Sequence, residues 1–346
     1  MAPSRPPFRD HENRPRAWVA AIAGLILVGC LSVRAASQET TYFRIGTSTS
    51  DSAYFAIGGL LASAISKPPG SRPCEAGGNC GVPGLVAVAV STEGSQANID
   101  AIAAGRLESG LAQADVTYWA YHGTGHYAGR EKIKGINAIA SLYPETVHIV
   151  VRRKAKIRSV KDLAGKRVSL GSDRTGTNTA ARAILHAYGV SIQSLKLVSD
   201  TAGQASEAMR KGRLDAFFVV AGDPVAAVSD LADSMEIDVL SLNGKIADDL
   251  VAKQPFFSST IIPANTYIGV GEVRTLSVRT LWVVSPKVDE KLVYSITRAL
   301  WHDSMRKLLD SRQADGQKIR LKTALDGLVV PLHPGAARFY REAGML

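Results

Sequence analysis

The 346-residue chain predicts an α/β fold of two lobes that face each other across a cleft and are joined by two crossovers. Three observations carry this. Lys166 to Val190 reads as strand, loop and amphipathic helix, and a matching unit precedes it at 42–66. In both copies a second strand–loop–helix unit follows and ends on one signature, GRLES at 105–109 and GRLDA at 212–216. Gly171 follows Gly46 by 125 residues and Gly212 follows Gly105 by 107, so one insertion of 18 residues in the first copy reconciles the two.

The elements follow in order. Arg14 and Arg16 precede an apolar run, Ala17 to Leu31, the length of a secretory signal core and short for a membrane span. Val33-Arg34-Ala35 offers a cleavage site that would release the chain near Ala36, so residues 1–36 are read as a signal sequence. Leu27 to Cys30 resembles a lipoprotein box, which would instead leave lipid on Cys30; an uncleaved anchor is the third exit. All three put the remainder outside the cytoplasm, in the periplasm. There Cys74 and Cys80, in a Gly/Pro-rich loop, predict a disulfide. A zinc site needs about four ligands, and no His or further Cys is near in sequence.

The net charge is +10, of which residues 1–34 contribute +3. The other basic residues are dispersed, densest in RRKAK at 152–156, with few aromatics between them, so no nucleic-acid partner is expected.

Tyr42–Gly46 reads as a strand, Thr47–Ala53 as a hydroxyl-rich loop, and Tyr54–Ser66 as a helix with Ile57, Leu60, Leu61, Ala64 and Ile65 on one face. Leu85–Val90 is apolar throughout, as in a strand covered on both faces. Ser91–Ser95 is a second polar loop before a helix ending at Ala104. The GLAQAD strand follows and carries Gln113 and Asp115 at its end; Ile136–Leu142 and Thr146–Val151 read as two further strands. In the second copy, Val168 and Leu170 mark the strand and Gly171–Thr177 the loop. Ala181, Ile184, Leu185 and Tyr188 mark one helix face, and Gly189 a left-handed helix end. The strand Leu195–Val198 and a helix through Met209 follow. Beyond Ile261 come a strand, Thr280–Val284, one helix from Val288 through Leu309, and a terminal helix at Arg338–Ala343. These return to the first lobe. Residues 40–146 and 266–346 are expected to form lobe one and 147–265 lobe two.

Strand-end loops of such lobes share one side. The cleft is therefore expected between Thr47–Ser52, Ser91–Ser95 and Ser172–Thr177. Helix N-termini there present unpaired N–H groups and partial positive charge. The expected ligand contacts are Thr47, Ser48, Thr49, Ser50, Tyr54, Ser91, Gln113, Asp115, Ser172, Arg174, Thr175, Gly176 and Thr177. Arg174 offers a fork for a carboxylate, and Asp115 a partner for an ammonium. The reading is an anionic or zwitterionic small molecule with at least one carboxylate.

Several segments together resemble the TAXI-type solute receptors of TRAP transporters, which have the type II periplasmic-binding-protein fold. They are IGTSTSDSAYFAIGGLLA at 45–62, STEGSQANIDAIAAGRLESGLAQADVTY at 91–118, IASLYPETVHIVVR at 139–152, VKDLAGKRVSLG at 160–171, TGTNTAARAIL at 175–185, DAFFVVAGDP at 215–224 and PLHPGAARFYREAG at 331–344. The resemblance implies an exported receptor without catalysis. It would capture a small carboxylated solute, such as glutamate or a dicarboxylate, by lobe closure and deliver it to a TRAP-type membrane permease. No cofactor or metal is implied.

Other motifs do not compete. GTGHYA at 123–128 has dinucleotide-motif spacing but follows no buried strand. Gly171–Thr177 has no Lys before a hydroxyl residue, so it is not a P-loop. His122 and His126 are separated by Gly-Thr-Gly, which is not helical, and His148 reads as a packed strand residue. The alternative function is an exported hydrolase or transferase using the same cleft, with Asp51, Asp115, Asp173 or Asp223 as acid or base.

Overall fold

The computed structural model describes residues 40–312 and 314–346; the signal sequence expected at 1–36, with Cys30, lies outside them. In chain order, the elements begin with β1 (Thr41–Gly46), α1 (Ala53–Ile65), β2 (Ser66–Lys67), β3 (Val82–Pro83), β4 (Leu85–Val90), α2 (Ser95–Ala103), β5 (Ser109–Gln113), α3 (Ala114–His122) and β6 (Asn137–Arg152). The second half holds β7 (Arg167–Ser169), α4 (Gly176–Ala187), β8 (Lys196–Val198), α5 (Ala202–Arg210), β9 (Ala216–Ala221), α6 (Ala226–Ser234), β10 (Ile237–Val239), α7 (Gly244–Lys253) and β11 (Phe257–Ile262). The chain closes with β12 (Val273–Val284), α8 (Glu290–Leu300), α9 (Asp303–Arg312), α10 (Ala314–Lys318) and α11 (Pro334–Glu342).

One mixed sheet runs β4-β1-β5-β12-β6-β9-β7-β8, with β10 beside β6 and β11 beside β12. β1 lies parallel between β4 and β5, and β7 parallel between β8 and β9. The two halves thus have the same strand order about a central antiparallel pair, β12 and β6. The repeat extends to a side-chain clasp. Glu108 accepts from the Arg44 backbone N–H (2.8 Å), Nε (2.9 Å) and Nη2 (2.5 Å). Asp215 accepts from the Arg167 backbone N–H (3.1 Å), Nε (2.9 Å) and Nη2 (2.6 Å). The acid of each GRL(E/D) signature therefore ties its turn to the first strand of its own half.

The helices bury most of the expected faces, with Leu60 and Tyr188 only partly buried. Tyr54, Ile57, Leu61 and Ile65 of α1 are buried, as are Ala181, Ile184 and Leu185 of α4. Gly189 has a left-handed φ of 71°. The insertion is the 66–84 segment, where β2 pairs with β3 and Cys74 is bonded to Cys80. His302, remote in sequence, lies within 4.8 Å of that disulfide.

Four expectations need correction. β4 is an edge strand, not covered on both faces: Val88 is 42% exposed. The two strands read at 136–151 are one, β6, despite Pro144 in its middle. Pro144 cannot donate to the ladder, and the register against β12 shifts between Arg279 and Leu281 opposite it. Gln113 ends β5, so Asp115 belongs to the first turn of α3. The helix read from Val288 to Leu309 is two, α8 and α9.

Candidate functional site

The N-terminal ends of α1, α2, α4, α5 and α6 meet around a cavity of about 690 Å³. The local sequence explains why the loops stop there. Ser52 caps α1 by accepting from Phe55 N–H, Thr175 caps α4 from Asn178 N–H, and Thr201 with Gln204 forms a capping box on α5. Contacts cross the cavity between the two halves of the sheet. The Gln113 amide lies against Gly176, where a Cβ would overlap it, and Nε2 points to Val220 O at 3.5 Å. Asp315 packs against Gly222 in the same way. Lys318 Nζ donates to Asp223 O at 2.9 Å and Oδ1 at 3.2 Å.

Of the residues expected from sequence, Ser48, Thr49, Ser50, Tyr54, Gln113, Ser172, Thr175, Gly176 and Thr177 line the cavity. Four do not. Thr47 is buried, with its hydroxyl donating to Val90 O at 2.8 Å. The Ser91 hydroxyl donates to Ser48 O at 3.0 Å. Asp115 is buried in α3, where Oδ1 accepts from Val116 N–H at 2.7 Å, and burial pushes its pKa up to about 7. Arg174 has a left-handed φ of 61° and turns to the rim. There its Nε meets Glu93 at 3.2 Å and its Nη2 meets Asp100 at 3.1 Å, while its carbonyl accepts from Gln96 N–H at 3.2 Å. Arg174 therefore bridges the two halves at the cavity's edge instead of reaching into it.

The floor was not legible in the sequence. Glu145, at the irregularity in β6, is 3% exposed and lines the cavity. Its Oε2 accepts from Tyr54 O–H at 3.2 Å. Burial pushes its pKa up to about 8, against the opposing hydrogen bond from Gln113. Asp315 of α10 also lines the cavity, and burial raises its pKa. Behind them lie the buried Tyr143 and Thr280, and Gln113 Oε1 is buried with no hydrogen-bond partner among the described residues. Higher up, the lining includes Ser199–Gly203, Phe218–Gly222 and Pro224–Ala227. Rim carboxylates come from Asp51, Glu93, Asp173 and Asp200. One signal for Glu145 was available: a lone acid inside a long run of strand-forming residues.

Among the described residues that line the cavity there is no His, Cys, Lys or Arg. Asp51 and Asp173 lie on its rim, whereas Asp115 and Asp223 are not part of its lining. His148 is buried, with Nδ1 2.9 Å from Thr146 O and Nε2 2.9 Å from Tyr267 Oη, and burial lowers its pKa to about 4. No helix among the described residues is long and apolar enough to cross a membrane.

Two like halves around an interlobe cavity define the fold of periplasmic solute-binding proteins, type II. A solved structure of this class is PhnD1 from Prochlorococcus marinus in complex with methylphosphonate. It matches with a TM-score of 0.50 at 11% identity, covering 88% of this chain and 99% of that one. The alkanesulfonate-binding protein SsuA from Xanthomonas axonopodis pv. citri, bound to MOPS, matches at 17% identity with a TM-score of 0.46. That match covers 88% of this chain and 84% of the other. The NMT1-like family matches residues 45–344, and the chain belongs to that family.

Proposed function

We propose that this protein is an exported solute receptor that closes two lobes around a small polar molecule and presents it to a membrane permease. The observation that carries the reading is the cavity itself: helix N-termini from both halves of the sheet converge on it, and side chains bridge it from both sides. We place the hinge where the central strands change partners. β6 passes from β12 to β9 at Thr146, and β12 passes from β11 to β5 between Val278 and Thr280. Lobe one then holds 40–146 and the C-terminal return, and lobe two the segment between. The expected boundary at 265/266 falls in the loop between β11 and β12. A clamshell on two strands suits closure, and the Arg174 bridge to Glu93 and Asp100 would form as the lobes meet.

The solute is taken to be carboxylated, its acidic end at the N-termini of α1 and α4, where hydroxyls and N–H groups are concentrated. The likeness to TAXI-type receptors makes a TRAP-type permease the proposed partner. Against this, structures of similar fold include sulfonate-binding proteins of ABC transporters, so an ABC-type permease is the second reading. Among the described residues lining the cavity, the hydrolase or transferase alternative finds no nucleophile–base pair of the Ser–His or Cys–His kind.

A thermal-shift screen of amino acids, 2-oxoacids, dicarboxylates, phosphonates and alkanesulfonates tests the reading. A true solute at about 100 times its Kd adds about 2.7 kcal/mol to stability and raises the melting temperature by several degrees. A flat response across all five classes would contradict a receptor for small anionic or zwitterionic solutes.

A further inference from the structure

We infer that the solute carries a protonated amine, which seats against Glu145 and Gln113 Oε1 at the cavity floor. The inference rests on the receptor reading above and adds a chemical requirement to it. Two independent observations point there. The first is the sign of the charge. Among the described residues, six carboxylates line the cavity (Asp51, Glu93, Glu145, Asp173, Asp200 and Asp315) and no cationic side chain does. Two cations beside the lining are both engaged: Lys318 by Asp223 at 3.2 Å and Asp315 at 3.5 Å, and Arg174 by Glu93 at 3.2 Å and Asp100 at 3.1 Å. The second is an unmatched acceptor. Gln113 is 3% exposed and lines the cavity, its amide nitrogen is directed at Val220 O and towards Glu145, and its Oε1 is buried without a partner.

An ammonium supplies what this floor lacks: three N–H donors and one positive charge. One donor satisfies Gln113 Oε1 and another meets the Glu145 carboxylate, whose Oε2 is already steadied by Tyr54. A carboxylate at the same place would hold the proton on Glu145 and, having no donor of its own, would leave Gln113 Oε1 unpaired. The solute is thereby oriented, amine inward to the floor and acidic group outward to the helix N-termini. The two ends are read by different chemistry, so an amine-free acid of the same shape is rejected at one end only.

Binding also moves a proton. Glu145 faces Tyr54, Tyr143, Gln113, Thr280 and Asp315, and with a pKa of about 8 it is mostly protonated at pH 7 in the solute-free protein. An incoming ammonium favours the carboxylate, so that proton passes to buffer. A bound carboxylate would favour its retention instead.

The test is isothermal titration at pH 7 of the 40–346 chain with matched pairs. These are taurine and ethanesulfonate, aminomethylphosphonate and methylphosphonate, and L-glutamate and glutarate. In any pair that binds, the amine member should bind roughly 10- to 100-fold tighter. Its heat should vary between buffers of different ionisation enthalpy, reporting proton release. Glu145→Gln should remove both the preference and the proton release. Equal affinity of the two members, or an unchanged preference in Glu145→Gln, would overturn the amine requirement and leave the receptor reading standing. Binding by no member of any pair, together with a flat thermal-shift screen, would overturn both.

Discussion

At pH 8 the Glu145→Gln protein will be more stable than the parent by roughly 3–5 kcal/mol, and at pH 4.5 the two will be equal within error. The sign follows from burial. Glu145 is 3% exposed, and desolvation raises its pKa from 4.5 to about 8. Between those values the folded protein keeps a proton that the unfolded chain gives up, so stability is greatest below about pH 4.5. It falls as pH rises, and the loss is complete above pH 8. Glutamine imitates the protonated acid, can still accept from Tyr54 O–H, and does not titrate. Asp115, with a pKa raised by burial to about 7, acts alike in both proteins and cancels in the comparison. Urea denaturation of the solute-free proteins at several pH values is the check; parallel stability profiles would show that Glu145 is not held protonated. A carboxylate retained at such a cost, in a cavity floor, is best understood as selected for binding.

The second large effect concerns the scaffold. Asp215→Ala should destabilise by roughly 2–4 kcal/mol at pH 7. Asp215 accepts four hydrogen bonds: three from the Arg167 backbone N–H, Nε and Nη2, and one from Arg152 Nη2 at 3.1 Å. The Arg167 guanidinium beside it holds its pKa down to about 2. Because the folded-state pKa lies below the unfolded value, this stabilisation is present above about pH 4 and disappears as pH falls through 2. The gap between Asp215→Ala and parent should therefore narrow in acid. Glu108→Ala, at the equivalent clasp, should cost less, since the Glu108 side chain is 26% exposed against 13% for Asp215. Chemical denaturation of both variants distinguishes the two clasps. Loss of less than about 1 kcal/mol at Asp215 would mean that the clasp is ornamental.

The sequence made the repeat legible because it is local: strand–loop–helix units and the GRL(E/D) turns recur at near-constant spacing. Even their ion pairs can be rationalised afterwards, since each signature acid closes on the arginine of its first strand. Three things were hidden. The continuity of β6 was obscured by Pro144, which reads as a break although β12 shifts register to accommodate it. Asp115 reads as the end of the GLAQAD strand, but α3 starts one residue earlier and buries the side chain. Arg174 was aimed at the ligand from its place in a polar loop; the left-handed backbone at that residue, invisible in sequence, sends the guanidinium to Glu93 and Asp100. The floor needed three dimensions altogether. Gln113, Glu145, Thr280 and Asp315 are far apart in the chain and are gathered only by β5, β6, β12 and α10.

Solute held between the two halves of the sheet, with its amine at Glu145, should protect both halves at once. Hydrogen–deuterium exchange with and without the best-binding amine from the matched pairs reads this. Slower exchange is expected at Thr49–Tyr54 and Ser95–Gln96 on one side and at Thr175–Asn178 and Thr201–Gly203 on the other. Slowing should also appear in β6 around Glu145, with no change in the 66–84 insertion. Protection confined to one half of the sheet, or lying outside the cavity, would contradict it.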